Sequence, residues 1–148
     1  MDLGFNEQQK MLKSTARDFL ENESPTSTVR ELEKSTAGYS SEHWGKMADL
    51  GWLGLGFSSA YGGSDGDLID QTALFEEIGR AILPGPTFIS TVLCSQILLN
   101  AANEDQKQRL LPQIAHPDNI WMNQLMRFVD LPLQILKALG IHASLIGN

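Results

Sequence analysis

Helix-start signals recur along this chain, and behind each of them the apolar residues fall at helical spacing and never at the alternating spacing of a strand. Asn6 stands three residues before Gln9 and Asn103 three before Gln106. At that spacing an N-cap side chain and its capping-box partner satisfy each other's backbone N–H groups. Ser24-Pro25, Ser40 or Ser41, and Asp67 supply three more starts. With short connections and no convincing strand, the pattern predicts an all-α fold, an array of about six or seven helices.

The individual stripes sharpen this expectation. Leu12, Ala16, Phe19 and Leu20 share one face of a helix over 7–23, with Lys10, Lys13, Arg17, Asp18 and Glu21 largely opposite. "TVRELEK" offers only Val29 and Leu32, so a short, mostly solvated helix is expected. Trp44, Met47 and Ala48 line a third helix, ended by Gly51 in the left-handed position that lacks a penalty only for a residue without Cβ. After Asp67, the residues Leu68, Gln71, Leu74, Phe75, Ile78 and Ile82 trace one stripe. Glu76 and Arg80, four apart, predict a weak pair of about 0.3–0.5 kcal/mol. Glu76 and Glu77 diverge by roughly 100° on a helix and read as solvated charges rather than a shared acid/base pair. "LPGP" (Leu83 to Pro86) stops that helix. The next carries Phe88, Ile89, Val92, Leu93, Ile97, Leu98 and Leu99 almost all round and is expected to be central, with Ser90, Thr91 and Ser95 bonding back to their own helix. In the sixth, Leu110, Leu111 and Ile114 point inward, and Pro112 predicts a kink or an early stop.

Between the third and fourth helices lies "LGWLGLGFSSAYGG", with five glycines in fourteen residues. A dinucleotide fingerprint would need a glycine where Ser59 stands, a strand before it and a helix immediately after; a Walker loop would need Gly-Lys-Ser/Thr. Neither is met, so the stretch reads as buried backbone with small residues where other backbone comes close.

Composition excludes several classes. A formal net charge of −7 argues against non-specific nucleic-acid binding, which needs a basic face. The longest apolar stretch, from Phe88 to Leu99, is interrupted by polar residues and falls short of the roughly 20 that a membrane span requires. The N-terminus has neither the basic nor the apolar region of a signal peptide. A single cysteine, Cys94, allows no intrachain disulfide, which suits a reducing, cytoplasmic setting, and it reads as a small buried hydrophobe. His43, His116 and His142 show no metal-ligand spacing, and no serine lies in a nucleophile elbow. Neither a catalytic residue nor a metal ligand is therefore assigned.

The pieces "MADLGWLGL...YGG", "EEIGRA" and "EDQKQRLLPQIA", together with "MDLGFNEQQKMLKSTARDFL", resemble the N-terminal helical domain of acyl-CoA dehydrogenases over residues 1–115. The resemblance implies FAD-dependent oxidation of the Cα–Cβ bond of an acyl-CoA thioester, in which a glutamate takes the α-proton and flavin N5 the β-hydride. It implies a helical N-terminal domain followed by a β-barrel-like middle domain and a C-terminal bundle. It also implies that Thr87, Phe88, Ile89, Val92 and Leu93, at the start of the fifth helix, line the far end of an acyl pocket; plain core is the alternative reading of these five. Tyr61-Gly62-Gly63 matches a family turn with an architectural role. The Thr-Glu-Pro signature that opens the family's flavin-binding domain does not occur here, and the family's catalytic base lies further on than this sequence runs.

Residues 116–148 match no family segment and form a second unit rich in Leu, Ile, Met, Phe and Trp. Trp121, Leu125, Phe128 and Val129, then Ile135, Leu136 and Leu139, fall at helical spacing around Pro132, with Gly140 as a stop. This tail is expected to cover the apolar face that the N-terminal domain turns toward the other two in the family, on the same chain or on a second copy. Three functions follow: an acyl-CoA dehydrogenase relative that binds no FAD and is inactive alone, a subunit completing an enzyme with a separate chain, or a non-enzymatic helical module that self-associates, with a dimer favoured.

Overall fold

The computed structural model describes residues 4–116; the two apolar helices expected between Ile120 and Ile146 lie outside the described residues. Within them there are six α-helices and no strand: α1 (Glu7–Glu23), α2 (Thr26–Lys34), α3 (Ser41–Asp49), α4 (Leu68–Arg80), α5 (Ser95–Ala101) and α6 (Glu104–Ala115). Two 3-10 turns, Trp52–Gly54 and Ser59–Tyr61, follow α3, and a π-helical segment, Ile89–Cys94, runs directly into α5. The capping boxes form at Asn6, Asp67 and Asn103, and Ser40 caps α3 by accepting from the His43 N–H. α2 buries no residue, in line with its thin stripe.

The helices enclose two cores. In the first, α1 lies along α4, and Ala16, Leu20, Trp44, Met47, Trp52, Leu53, Leu74 and Ile78 pack together. Phe19 meets Trp52 edge to face, with ring centroids 5.2 Å apart. The second gathers Phe57, Cys94, Leu98, Leu111 and Ile114 from the glycine-rich segment, the π segment, α5 and α6. Here α6 continues through Pro112 to Ala115 rather than stopping early. Leu111 and Ile114, 0% and 1% exposed, sit on either side of the proline. Burying two such side chains contributes about 3–6 kcal/mol, enough to offset the roughly 3 kcal/mol an interior proline costs.

The fifth helix corrects its expectation. Thr87, Ser90, Thr91, Cys94, Ser95 and Leu98 are buried, whereas Phe88, Ile89, Leu93 and Ile97 are exposed. Its small polar side chains face inward because they allow close approach and, for Thr91 and Ser95, bond to their own helix: Thr91 Oγ1 donates to the Thr87 carbonyl at 2.8 Å, and Ser95 Oγ donates to the Thr91 carbonyl. The large apolar residues form an outer stripe. In α4 the inward face is likewise narrower than its stripe, with Leu68 and Ile82 both 72% exposed. Ile82 lies past the helix end at φ +53°, in the position of a left-handed cap, where the Leu83 N–H reaches the Ile78 carbonyl at 3.2 Å.

The reading of Glu77 as solvated is overturned. Its side chain is 1% exposed beneath α1, gripped by Arg17 through two bonds of 3.0 and 2.7 Å and by Arg80 Nε at 2.7 Å. Arg80 also reaches Glu21 at 3.2 Å, and Glu76 pairs with Lys13 at 2.6 Å, so the expected Glu76–Arg80 pair is replaced by links between helices. A helical wheel shows which residues share a face but not which partner helix carries the complementary charge.

Arg17 is the main cause that holds the Glu77 carboxyl down at about 2 instead of 4.5; burial opposes it and Arg80 adds to it. A carboxyl depressed in the folded state stabilises the fold above its unfolded pKa and loses that effect as pH falls through its folded pKa. The contribution is therefore complete above pH about 4.5 and disappears toward pH about 2. Glu77→Gln should lower stability at pH 7 by about 2 kcal/mol and flatten the acid limb between those two pH values, measured by urea unfolding across a pH series.

Candidate functional site

The glycine-rich stretch folds back on itself. The N–H of Ser64 donates to the Gly54 carbonyl at 3.0 Å, that of Asp65 to the Phe57 carbonyl at 3.1 Å and that of Gly63 to the Ser58 carbonyl at 3.0 Å. Asp65 Oδ1 accepts from the Ser59 N–H, and Tyr61 Oη donates to Glu104 Oε2 at 2.8 Å, tying the turn to α6. Gly51 and Gly62 have φ of +74° and +79°, as the left-handed end of α3 and the Tyr61-Gly62-Gly63 turn require. A Cβ on Gly63 would lie 2.0 Å from the Phe57 carbonyl oxygen, and one on Gly66 2.6 Å from that of Leu55. The space the glycines leave is filled by the chain's own atoms, so the stretch does not fit a dinucleotide pyrophosphate.

The residues marked for acyl contact divide. Phe88 and Val92 line a cavity of about 290 Å³ together with Leu68, Gln71, Thr72, Phe75 and Glu76 of α4. Phe75 fixes Phe88 in a T-shaped contact, centroids 5.4 Å apart and planes at 88°. Thr87 is buried, and its carbonyl is occupied by Thr91. Ile89 and Leu93 lie on the exposed stripe, outside the lining of this cavity. The π segment places them so: a π-helical turn breaks the α register, and such insertions are frequent at functional sites.

The α4 contribution was not read from sequence as part of a site. Its signal was Gln71, a polar residue in an apolar stripe. Gln71 is only 6% exposed, and no donor reaches its Oε1. Leaving a buried polar group unpaired costs about 1–3 kcal/mol, so such a group calls for an explanation. At the rim, Thr72 Oγ1 donates to the Leu68 carbonyl at 2.8 Å and Glu76 is held by Lys13.

Other candidates carry less chemistry. Cys94 is 2% exposed, and burial pushes its thiol up, away from the thiolate a nucleophile needs. His43 is buried on α3, His116 is exposed at the end of α6 and His142 lies outside the described residues. Among the described residues, no group of three His, Cys, Asp or Glu side chains converges as metal ligands, and no helix is long and apolar enough to cross a membrane.

Known proteins place this architecture. The profile of the acyl-CoA dehydrogenase N-terminal domain matches residues 6–118. The chain belongs to the acyl-CoA dehydrogenase family. Short-chain specific acyl-CoA dehydrogenase of Clostridium acetobutylicum is 29% identical over 122 residues, covering 81% of this chain and 32% of that protein. Mitochondrial isovaleryl-CoA dehydrogenase of Bos taurus is 31% identical over 155 residues, covering 98% of this chain and 36% of that protein. That alignment therefore runs on beyond residue 118, through most of the segment read from sequence as unrelated to the family. Among solved structures, the ChsE4-ChsE5 complex of Mycobacterium tuberculosis contains a chain with a TM-score of 0.66 and 28% identity, covering 80% of this chain and 30% of that one. The chain spans about a third of the length of the acyl-CoA dehydrogenase relatives it matches.

Two glycines, one in the turn and one on α4, contrast a closed backbone position with an open one. Gly63→Ala should remove about 2–4 kcal/mol of stability or prevent folding, because the obstructing atom is backbone. Gly79→Ala in α4, where a Cβ meets nothing within 4 Å, should raise stability by about 0.5–1 kcal/mol. Thermal unfolding of the two variants measures the contrast.

Proposed function

We propose that this chain is the N-terminal helical part of an FAD-dependent acyl-CoA dehydrogenase, that it walls the acyl pocket, and that it does not desaturate acyl-CoA thioesters by itself. The carrying observation is the apolar cavity between α4 and the π segment, where Phe88 and Val92 stand in a chain of this family. Thr87 is buried next to Phe88 in sequence, while Ile89 and Leu93 offer exposed hydrocarbon outside the lining. In the family the flavin accepts the hydride. The glycine-rich stretch does not fit its pyrophosphate, so the flavin site falls to the other domains, supplied by more of the same polypeptide or by a separate chain. Two-chain assemblies such as the ChsE4-ChsE5 complex among the structural relatives support the second route. Cys94, buried and unpaired, accords with a reducing, cytoplasmic setting. Incubating the purified chain with FAD, butyryl-CoA or hexanoyl-CoA and a dye acceptor should give no dye reduction; turnover would overturn this reading.

A second reading, self-association, is favoured by one observation. Phe88, Ile89, Leu93 and Ile97 are 40–51% exposed along one helix, an apolar stripe of the kind that marks interaction surfaces. The family's other domains, residues 116–148 or a second copy would cover it. Sedimentation of the chain should show a dimer, and Leu93→Lys with Ile97→Lys should convert it to monomer. A wild-type monomer would remove this reading.

A further inference from the structure

The fifth helix is arranged in rows of four-residue spacing. Thr87, Thr91 and Ser95 form one buried row and Ser90, Cys94 and Leu98 the next. Ile89, Leu93 and Ile97 form an exposed row, and Phe88 and Val92 line the cavity against α4. In an α-helix, residues four apart drift by about 40° around the axis. The wider turn of the π segment, whose bonds reach one residue further, keeps such rows straight. At its junction with α5 the bonding is exchanged. The Ser95 N–H, which in α register would reach the Thr91 carbonyl, donates to the Val92 carbonyl. The Ser95 hydroxyl takes the Thr91 carbonyl in its place and lies 3.1 Å from that of Val92. Ser95 is 0% exposed and Thr91 4%, so water does not compete for that carbonyl.

We propose that Ser95 is a positioning residue: by occupying the Thr91 carbonyl, its hydroxyl holds this junction in the wide register and so keeps Phe88 and Val92 turned toward α4. Without the hydroxyl, the buried Thr91 carbonyl is satisfied only if the N–H of residue 95 returns to it, which is the α register. α5 is anchored in the second core by Leu98, so the segment before the junction is the part that turns. Two four-residue steps of α drift carry it roughly 80° around the axis. Phe88 then leaves its edge-to-face contact with Phe75, and the cavity loses one wall. The Thr91 hydroxyl differs in role, since it bonds to Thr87 within the segment and not across the junction. The consequence for a ligand rests on the reading of this cavity as an acyl wall; the register itself does not.

The test uses NMR on the full 148-residue chain, unaltered and as Ser95→Ala and Thr91→Val. In the unaltered protein, scalar coupling across the hydrogen bond should join the Ser95 N–H to the Val92 carbonyl, and cross-peaks should join the Phe75 and Phe88 rings. Ser95→Ala should move the coupling to the Thr91 carbonyl, erase the ring cross-peaks and weaken hexanoyl-CoA binding by about tenfold. Thr91→Val should leave all three as they are, which separates the junction hydroxyl from any lost buried hydroxyl. Ring cross-peaks that persist in Ser95→Ala would overturn the proposal. So would a Ser95 N–H coupled to the Thr91 carbonyl in the unaltered protein, a readout that holds even where a variant does not fold. If the unaltered chain binds no hexanoyl-CoA, the acyl wall falls, while the coupling and the ring cross-peaks still decide the role of Ser95.

Discussion

The fold turns on one close approach, that of the Gly63 backbone to the Phe57 carbonyl. It closes the loop from Gly51 to Gly66 on itself, and that loop is the seam between the two cores. Trp52 and Leu53, at its start, belong to the α1–α3–α4 core; Phe57, in its middle, belongs to the core of α5 and α6. The Tyr61–Glu104 bond then holds the turn to the first residues of α6. Were a side chain forced between Gly63 and Phe57, the two cores would have to separate or the loop to open, since backbone cannot yield as a flexible side chain can.

α4 transmits this arrangement to the site. One of its sides lies on α1, where Glu77 takes bonds from Arg17 and Arg80 in nearly complete burial. Another side carries Gln71 and Phe75 toward the π segment. The two departures from an apolar stripe thus have opposite character. Glu77 is saturated with charged donors and locks two helices together; Gln71 is left unpaired beside a cavity.

The family relationship fits this division of labour. A domain that is a third of its relatives' length can hold a wall of a pocket without holding the reacting centre. Its exposed stripe of Phe88, Ile89, Leu93 and Ile97 is an apolar surface of the kind that marks an interaction face.

Helix positions, their caps and the left-handed glycine at 51 were legible in the residues alone, because they rest on interactions within a few positions of the chain. Asn6 with Gln9 and Asn103 with Gln106 need no partner from elsewhere. The family was legible for the same reason, since its motifs lie in these local segments. What only the tertiary structure decided was which face of each helix turns inward and what meets it. The fifth helix is apolar nearly all round, so its periodicity could not choose; close packing selected the side with Thr87, Ser90, Thr91 and Ser95, whose small side chains admit a neighbour, Thr91 and Ser95 also bonding to their own backbone while the Ser90 hydroxyl, expected to do the same, does not. The burial of Glu77 depended on Arg17, sixty residues away along the chain. The cavity itself joins α4 to the π segment across the Leu83–Pro86 turn, and a void between two elements has no counterpart in the order of residues along either one.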